Sequence, residues 1–254
     1  MATIRKIALI TGGSRGLGRN TALHLAQNDI DTILTYRTGK TEAAAVVREI
    51  GSAGGKAALV QLDTSVTMGF EAFGVQLQEL LRTNWQRESF DYLINNAGFG
   101  LNKPFEETSE EDFDRLMNVH VKGVFFLTQR LLPLVSDGGR ILNVSSGLAR
   151  FSLPGYSAYA TMKGAIEVLT RYLAKELGPR GISVNTIAPG AVETDFGGGA
   201  VRDIPEINRA IASMTAMGRA GKPDDIGGAI AALLAGQTAW MTGQRIEISG
   251  GMNL

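Results

Sequence analysis

Ile7-Ala8-Leu9-Ile10, followed at once by Thr11-Gly12-Gly13-Ser14-Arg15-Gly16-Leu17-Gly18, is the stretch on which the fold turns. The four apolar residues read as a short buried strand, and a helical pattern continues past Gly18 to Leu25. A strand, a glycine-rich turn and a helix start form the setting in which glycines let backbone approach a pyrophosphate. The helix N-terminus adds unpaired N–H groups and a favourable dipole. The spacing is G-x-x-x-G-x-G, not the G-x-G-x-x-G of the larger dinucleotide dehydrogenases, and a plain loop can share this composition.

Outward from this unit, strands and helices alternate. Residues 31–36, 57–62, 92–94, 140–144, 182–187 and 245–248 read as further strands, and residues 41–53, 67–86 and 223–235 as helices. Ser109-Glu110-Glu111-Asp112 resembles a capping box. It opens a helix whose apolar stripe is expected to run through Phe113, Met117, Val121 and Val124. Asn118 lies inside that helix, where an amide is mildly unfavourable. His120 reads as a packing or surface residue, not a ligand. The alternation predicts an α/β fold, one domain over residues 1–254, with a parallel sheet of about seven strands covered on both faces. Residues 195–221 interrupt the pattern. Gly197-Gly198-Gly199 near their start suggests a substrate lid with a glycine hinge, a surface excursion being the alternative.

A second informative stretch is Ser157-Ala158-Tyr159-Ala160-Thr161-Met162-Lys163. Met162, Ile166, Leu169 and Leu173 mark a helical stripe, which Gly178-Pro179 ends. Positions i and i+4 share a helix face, so the Tyr159 phenol and the Lys163 ammonium are neighbours. A cation beside a phenol favours the phenolate and is expected to bring the phenol pKa towards the working range. An exposed helical pair would show the same spacing.

Composition narrows the possibilities. The 254 residues are 44% hydrophobic, enough for one full-sized core. There is no cysteine, which excludes disulfides, thiolate metal sites and cysteine nucleophiles. Basic and acidic residues balance at 25 each, so no global field draws in nucleic acid or an anionic membrane. Met1-Ala2-Thr3-Ile4 leads directly into the first strand without a signal-peptide pattern. No apolar run approaches the roughly 20 residues of a membrane span. A soluble, cytoplasmic protein is expected. Two histidines, His24 and His120, leave little material for a metal site, and none is expected.

Where an NAD enzyme usually carries an acid after its second strand, this chain has Tyr36-Arg37-Thr38-Gly39-Lys40. Arg37, with Arg15 in the glycine turn, can neutralise a 2′-phosphate. They could instead be solvated surface cations. The missing acid favours NADP, with NADPH preferred over NADH. Asp63 closes the third strand, and Asn95-Asn96-Ala97-Gly98 ends the fourth with residues that permit close passage of a ligand.

In this order, Thr11-Gly12-x-x-x-Gly16-x-Gly18, Asn95-Asn96-Ala97-Gly98, Asn118, Ser146, Tyr159-x-x-x-Lys163 and Pro189-Gly190 resemble the short-chain dehydrogenase/reductase family in its compact branch. The resemblance covers nearly the whole chain and implies a doubly wound Rossmann fold. It implies Tyr159 as general acid in carbonyl reduction, Ser146 as hydrogen-bond donor to the same oxygen, and Lys163 as the group that lowers the Tyr159 pKa and holds the nicotinamide ribose. Asn118 would bend its helix around a water that connects Lys163 to solvent. Gly12, Ser14, Arg15, Gly16, Leu17 and Gly18 would lie along the adenosine and pyrophosphate half. Asp63 and Asn95 would flank adenine and its ribose, with Ala97 and Gly98 beside them. Pro189, Gly190, Val192 and Thr194 would meet the nicotinamide carboxamide end.

The substrate expected is a small ketone or alcohol, met by an apolar pocket drawn from Phe151, Leu153, Tyr156, Phe196, Met214 and Met217. A homotetramer is implied by resemblance. The nearest alternative is a 3-oxoacyl-carrier-protein reductase, which grips its acidic carrier with two arginines. Asp137 stands at the first of these positions and Arg180 at the second. The alternative from another class is an NADPH-binding regulator without turnover, which would be expected to lose members of the catalytic set.

Overall fold

A computed structural model of the chain describes residues 5–254, so the reading of Met1–Ile4 lies outside the described residues. Seven strands form one sheet: β1 (Lys6–Ile10), β2 (Ile30–Tyr36), β3 (Ala57–Gln61), β4 (Phe90–Asn95), β5 (Val135–Val144), β6 (Ser183–Pro189) and β7 (Arg245–Ile248). Their order is β3-β2-β1-β4-β5-β6-β7, with every pairing parallel. Alternate residues of β1 serve opposite faces: Ile7 and Leu9 enter one core cluster, Ala8 and Ile10 the other. That two-sided burial is why the strand reads as an unbroken apolar run.

The helices in chain order are α1 (Gly16–Gln27), α2 (Lys40–Ser52), α3 (Phe70–Trp85), α4 (Glu110–Met117), α5 (Gly123–Leu131), α6 (Ser157–Leu177), α7 (Ala200–Asp203), α8 (Pro205–Ser213) and α9 (Pro223–Ala235). One face of the sheet is covered by α3, α5 and α6 through Phe73, Leu77, Leu81, Leu127, Leu131 and Leu177. The other is covered by α1, α2 and α9 through Leu25, Val46, Ile50, Ile226, Ile230 and Leu234. Each such aliphatic side chain, fully withdrawn from water, contributes roughly 2 kcal/mol. The strand order reverses between β1 and β4. A crevice therefore opens at their carboxyl ends, where a doubly wound sheet takes its ligand.

Two sequence expectations are corrected here. β5 begins at Val135, not residue 140, because a bulge opposite Phe90–Tyr92 carries the turn-like Asp137-Gly138-Gly139 inside the strand. Gly138 sits at φ +73°, and a Cβ on Gly139 would stand 2.6 Å from the Asp91 carbonyl oxygen, so glycine is required. In the continuous helical run before β5, the buried row is Leu116, Val119, His120, Gly123 and Leu127. Phe113 is exposed. The buried row keeps helical spacing but lies on a face beside the expected one; a π turn at Asn118–Lys122 joins α4 to α5 within it.

Candidate active site

The glycine turn between β1 and α1 lies at the switch point. Gly12 and Gly16 adopt φ of +68° and +54°, the left-handed region that side chains disfavour. A Cβ at Gly18 would stand 2.3 Å from the Gly12 carbonyl oxygen, so α1 closes on the turn only with glycine there. Thr35 supports the turn from β2, accepting from Gly12 N at its Oγ1 and from Gly13 N at its carbonyl, at 3.2 and 2.8 Å. Asn96 supports it from just after β4, its Nδ2 donating to the Thr11 and Gly12 carbonyls at 2.8 and 3.2 Å. The N–H of Ala97 donates to Thr11 Oγ1 at 2.9 Å. Arg15 is the N-cap of α1; no side chain caps the helix and its first turn holds no acid. The first N–H groups of α1 are thus left for an anion, and the cradle fits a dinucleotide pyrophosphate.

Arg15 and Arg37 are exposed, and neither enters an ion pair among the described residues. The Arg37 carbonyl accepts from Gln61 Nε2 at 2.9 Å, which anchors its backbone without engaging its guanidinium. Ser14 Oγ and Glu42 Oε2 both border Gly39. The rim therefore carries one carboxylate, from the first turn of α2, that the sequence reading did not include. Asp63 follows β3, its Oδ1 accepting from Ser65 N and Oγ at 2.9 and 2.6 Å. The side chain of Asn95 does not reach the crevice. It is buried beneath the sheet, with Nδ2 donating to Thr128 Oγ1 at 3.0 Å and Asn143 Oδ1 at 2.8 Å. An adenine or ribose contact by that amide is excluded by this direction, which is set by the strand's alternation.

At the other end of the crevice β6 closes with Pro189, and the Gly190 N–H donates to the Ile248 carbonyl at 3.1 Å. A Cβ on Gly190 would lie 2.9 Å from Ser249 Cα, so β6 and the segment after β7 meet at van der Waals limit. Val192 bridges to Gly221. Thr194 is buried, its Oγ1 accepts from Phe196 N at 3.2 Å, and its Cβ lies 3.9 Å from the place of a Gly16 Cβ. Thr194 and the glycine turn thus face each other across the crevice.

Ser146, Tyr159 and Lys163 come together beyond β5. Ser146 is extended, and its Oγ accepts from Leu148 N at 3.2 Å, which leaves its O–H to donate. Lys163 Nζ donates to the Val144 carbonyl at 2.7 Å and lies 5.5 Å from the Tyr159 ring centre. Burial lowers the Lys163 pKa to about 7. Burial also pushes the Tyr159 phenol well above its ordinary value, and the Ser146 hydroxyl beside it offsets only part of the rise. The expectation of a lowered phenol pKa is overturned: desolvation outweighs a lysine that is directed at a carbonyl and is itself half neutral near pH 7.

The residue that sequence reasoning set aside is His120. It is buried, 5.4 Å centre to centre and edge-on to the Tyr159 ring, and its Nε2 hydrogen-bonds the Phe99 carbonyl at 2.9 Å. Its Nδ1 is buried without a partner. Burial, then the Lys163 charge, hold its pKa well below the ordinary histidine value, so the ring is neutral. Asn118 opens the same π turn half-buried, and its carbonyl accepts from Gly123 N. The structure thus sets His120 against Tyr159. A face count that began at Leu116 and allowed for Gly123 packing on the Thr64 carbonyl would have found it.

Phe196 lies over Tyr159, ring centres 5.8 Å apart, and packs so closely on Gly100 that a Cβ there would stand 2.6 Å from the ring. Behind it Gly197, Gly198 and Gly199 take φ of +62°, +73° and +80°, followed by α7 and α8. Segment 195–221 thus carries three left-handed glycines ahead of two short helices. Of the expected pocket residues, Tyr156 and Phe196 border Tyr159, joined by Phe99, Leu101 and Leu148. Phe151 and Met214 pack in a separate cluster with Ile211, Ala220 and Met252. Leu153 and Met217 line two clefts of 490 and 650 Å³ that flank the site without containing Tyr159. Among the described residues no group of three His, Asp or Glu is placed to share a metal ion.

With this fold and this site, comparison with known proteins is direct. The family model described as enoyl-(acyl carrier protein) reductase matches residues 12–253. The chain belongs to the short-chain dehydrogenase/reductase family of oxidoreductases. It is 36% identical to a hydroxynaphthalene reductase-like protein, Arp2, of Metarhizium brunneum, over 97% of this chain and 94% of the relative. Among solved structures it resembles the angucycline C-6 ketoreductase LanV with bound NADP, at 36% identity and a TM-score of 0.93, covering 98% and 96% of the two chains. LanV has also been crystallised with NADP and rabelomycin. The promiscuous reductase LugOII, which catalyses a keto-reduction at C1 in lugdunomycin biosynthesis, is 37% identical with a TM-score of 0.93 over the full length of both chains.

Proposed function

We propose that this protein transfers a hydride between NADP(H) and a small carbonyl or alcohol substrate, with Tyr159 as general acid and base. The observation that carries the reading is the meeting of the Ser146 hydroxyl, the Tyr159 phenol and the Lys163 amine at the end of β5, across from the glycine turn. NADPH, when bound, supplies the hydride. The chain supplies placement and a proton. Ser146 donates to the carbonyl oxygen as charge develops there. Tyr159, whose raised pKa keeps it protonated, gives that oxygen its proton. Charged Lys163 stabilises the phenolate left behind, and neutral His120 walls the phenol without adding a competing charge. Arg15 and Arg37 take the 2′-phosphate, and the first turn of α1 takes the pyrophosphate.

The side chains around Tyr159 favour a flat ring as substrate. Phe196, Phe99 and Tyr156 offer aromatic faces and edges, and one relative is named for hydroxynaphthalene, a fused aromatic ring. The carrier-protein alternative is disfavoured by Arg180. Its Nε donates to Asp137 at 2.7 Å, and its two terminal nitrogens donate to the Leu132 and Val135 carbonyls at 3.0 and 2.6 Å. Little of that guanidinium remains for an acidic carrier.

The test is NADPH oxidation followed by absorbance with cyclohexanone, α-tetralone and acetoacetyl-carrier protein. Tyr159→Phe is expected to lower kcat by about a hundredfold or more while leaving NADPH affinity unchanged. Comparable turnover in that variant would end the proton-donor role. Acetoacetyl-carrier protein reduced far faster than either ketone would restore the alternative. No turnover of any carbonyl with NADPH bound would favour a regulator.

A further inference from the structure

Beside the catalytic group runs a chain of alternating charges that the reaction above does not use. Glu167 lies one helical turn beyond Lys163 on α6, and its Oε1 accepts from Ser145 Oγ at 2.8 Å and from Arg245 Nε at 2.7 Å. Arg245, on β7, spreads its remaining nitrogens: one terminal nitrogen donates to Glu247 Oε2 at 2.7 Å, the other to the main-chain carbonyl of Ser146 at 3.2 Å. Glu247 is held in turn by Arg150, which also donates to the Met252 and Asn253 carbonyls at 2.7 and 3.2 Å. Glu167, Arg245 and Glu247 have side chains only 15%, 23% and 20% exposed, so these contacts are little screened by water.

The geometry around Ser146 makes the chain more than a staple for the C-terminus. Ser145 N donates to the Ile187 carbonyl at 2.7 Å, and Ser145 Oγ donates to Glu167 and, at 3.3 Å, to the Lys163 carbonyl. Leu148 N donates to Ser146 Oγ, and the Ser146 carbonyl accepts from Ala149 N at 3.1 Å and from Arg245 at 3.2 Å. The Glu167–Arg245 pair joins this strand end both to α6, which carries Tyr159 and Lys163, and to β7.

We propose that Arg245, anchored by Glu167, is a positioning residue that acts through Ser146: it fixes the peptide of that serine so that the hydroxyl points at the substrate oxygen. The proposal rests on the reading of Ser146 as the oxygen's donor and extends it to a charged pair outside the reacting groups. Misplacing a catalytic group by a fraction of an ångström is costly, whereas weakening a fold contact is felt equally whether or not that group is present.

A double-mutant cycle on kcat separates the two, with the ketone of the panel above that the parent reduces fastest. Arg245→Met is expected to lower kcat about tenfold or more in the parent, with NADPH affinity by fluorescence unchanged, and by less than about twofold when Ser146→Ala is already present. Arg245→Lys should recover part of the loss. If Arg245→Met does not fold, Glu167→Gln, which keeps shape and loses charge, is put through the same cycle. An equal loss in both backgrounds, or no loss in the parent, overturns the positioning role. A Ser146→Ala enzyme as fast as the parent overturns the donor reading itself, a result visible before any Arg245 variant is made.

Discussion

Tyr159 and Lys163 were legible from spacing alone, since four residues on a helix place two side chains on one face. Their protonation was not, because it depends on what covers them. Lys163, with a pKa near 7 in the fold and near 10.5 when exposed, binds more protons unfolded than folded between those values. Stability therefore rises with pH across that window, and is lowest below about pH 7, where a buried charge must be kept. Carbonyl reduction should run the opposite way, since the cation that stabilises the Tyr159 phenolate is lost above about pH 7. Thermal melts and kcat measured over the same pH series check both slopes; parallel slopes would separate Lys163 from the chemistry. Arg37 belongs to the same scale. Arg37→Asp should shift cofactor preference from NADPH towards NADH by at least about tenfold, the equivalent of about 1.4 kcal/mol. An unchanged ratio of kcat/KM values would assign the phosphate to Arg15 or Lys40. Asn95 and His120 show where residue-level reading stops. An amide beside a glycine turn and a histidine in a helix have no direction until neighbouring strands and the π turn assign one.

The helices and strands were mostly placed within a residue or two, and the departures have specific causes. A bulge hid the first half of β5 inside a turn-like sequence, and the α4–α5 run buries the face of Leu116 and His120, beside the expected face of Phe113. The glycines of segment 195–221 stand out in the sequence, whereas the contact of Phe196 with Tyr159 does not, because it joins residues tens of positions apart. Phe196→Ala is expected to lower kcat/KM for α-tetralone by about two- to tenfold, the worth of one aromatic contact, with a smaller change for cyclohexanone. Equal losses for both ketones would mean that Phe196 shapes the lid without reading the ring.

Across the whole molecule, Phe125, Phe126, Val168 and Tyr172 leave apolar surface exposed on α5 and α6, Tyr172 at 65%. The expected homotetramer would cover such a face by a self-complementary contact. Light scattering of the parent should give a tetramer mass and Phe126→Glu a smaller species; a monomeric parent would remove the expectation. By itself, the amino-acid sequence determined the layers, the glycine turn, the Tyr159–Lys163 pair and the missing acid at the end of β2, because each rests on periodicity or on neighbours within one turn of chain. Only the tertiary structure decided which side chains surround Tyr159, that its proton is held tightly, and that Arg245 reaches Ser146. Those depend on burial and on contacts between residues tens of positions apart, and local spacing carries no record of either.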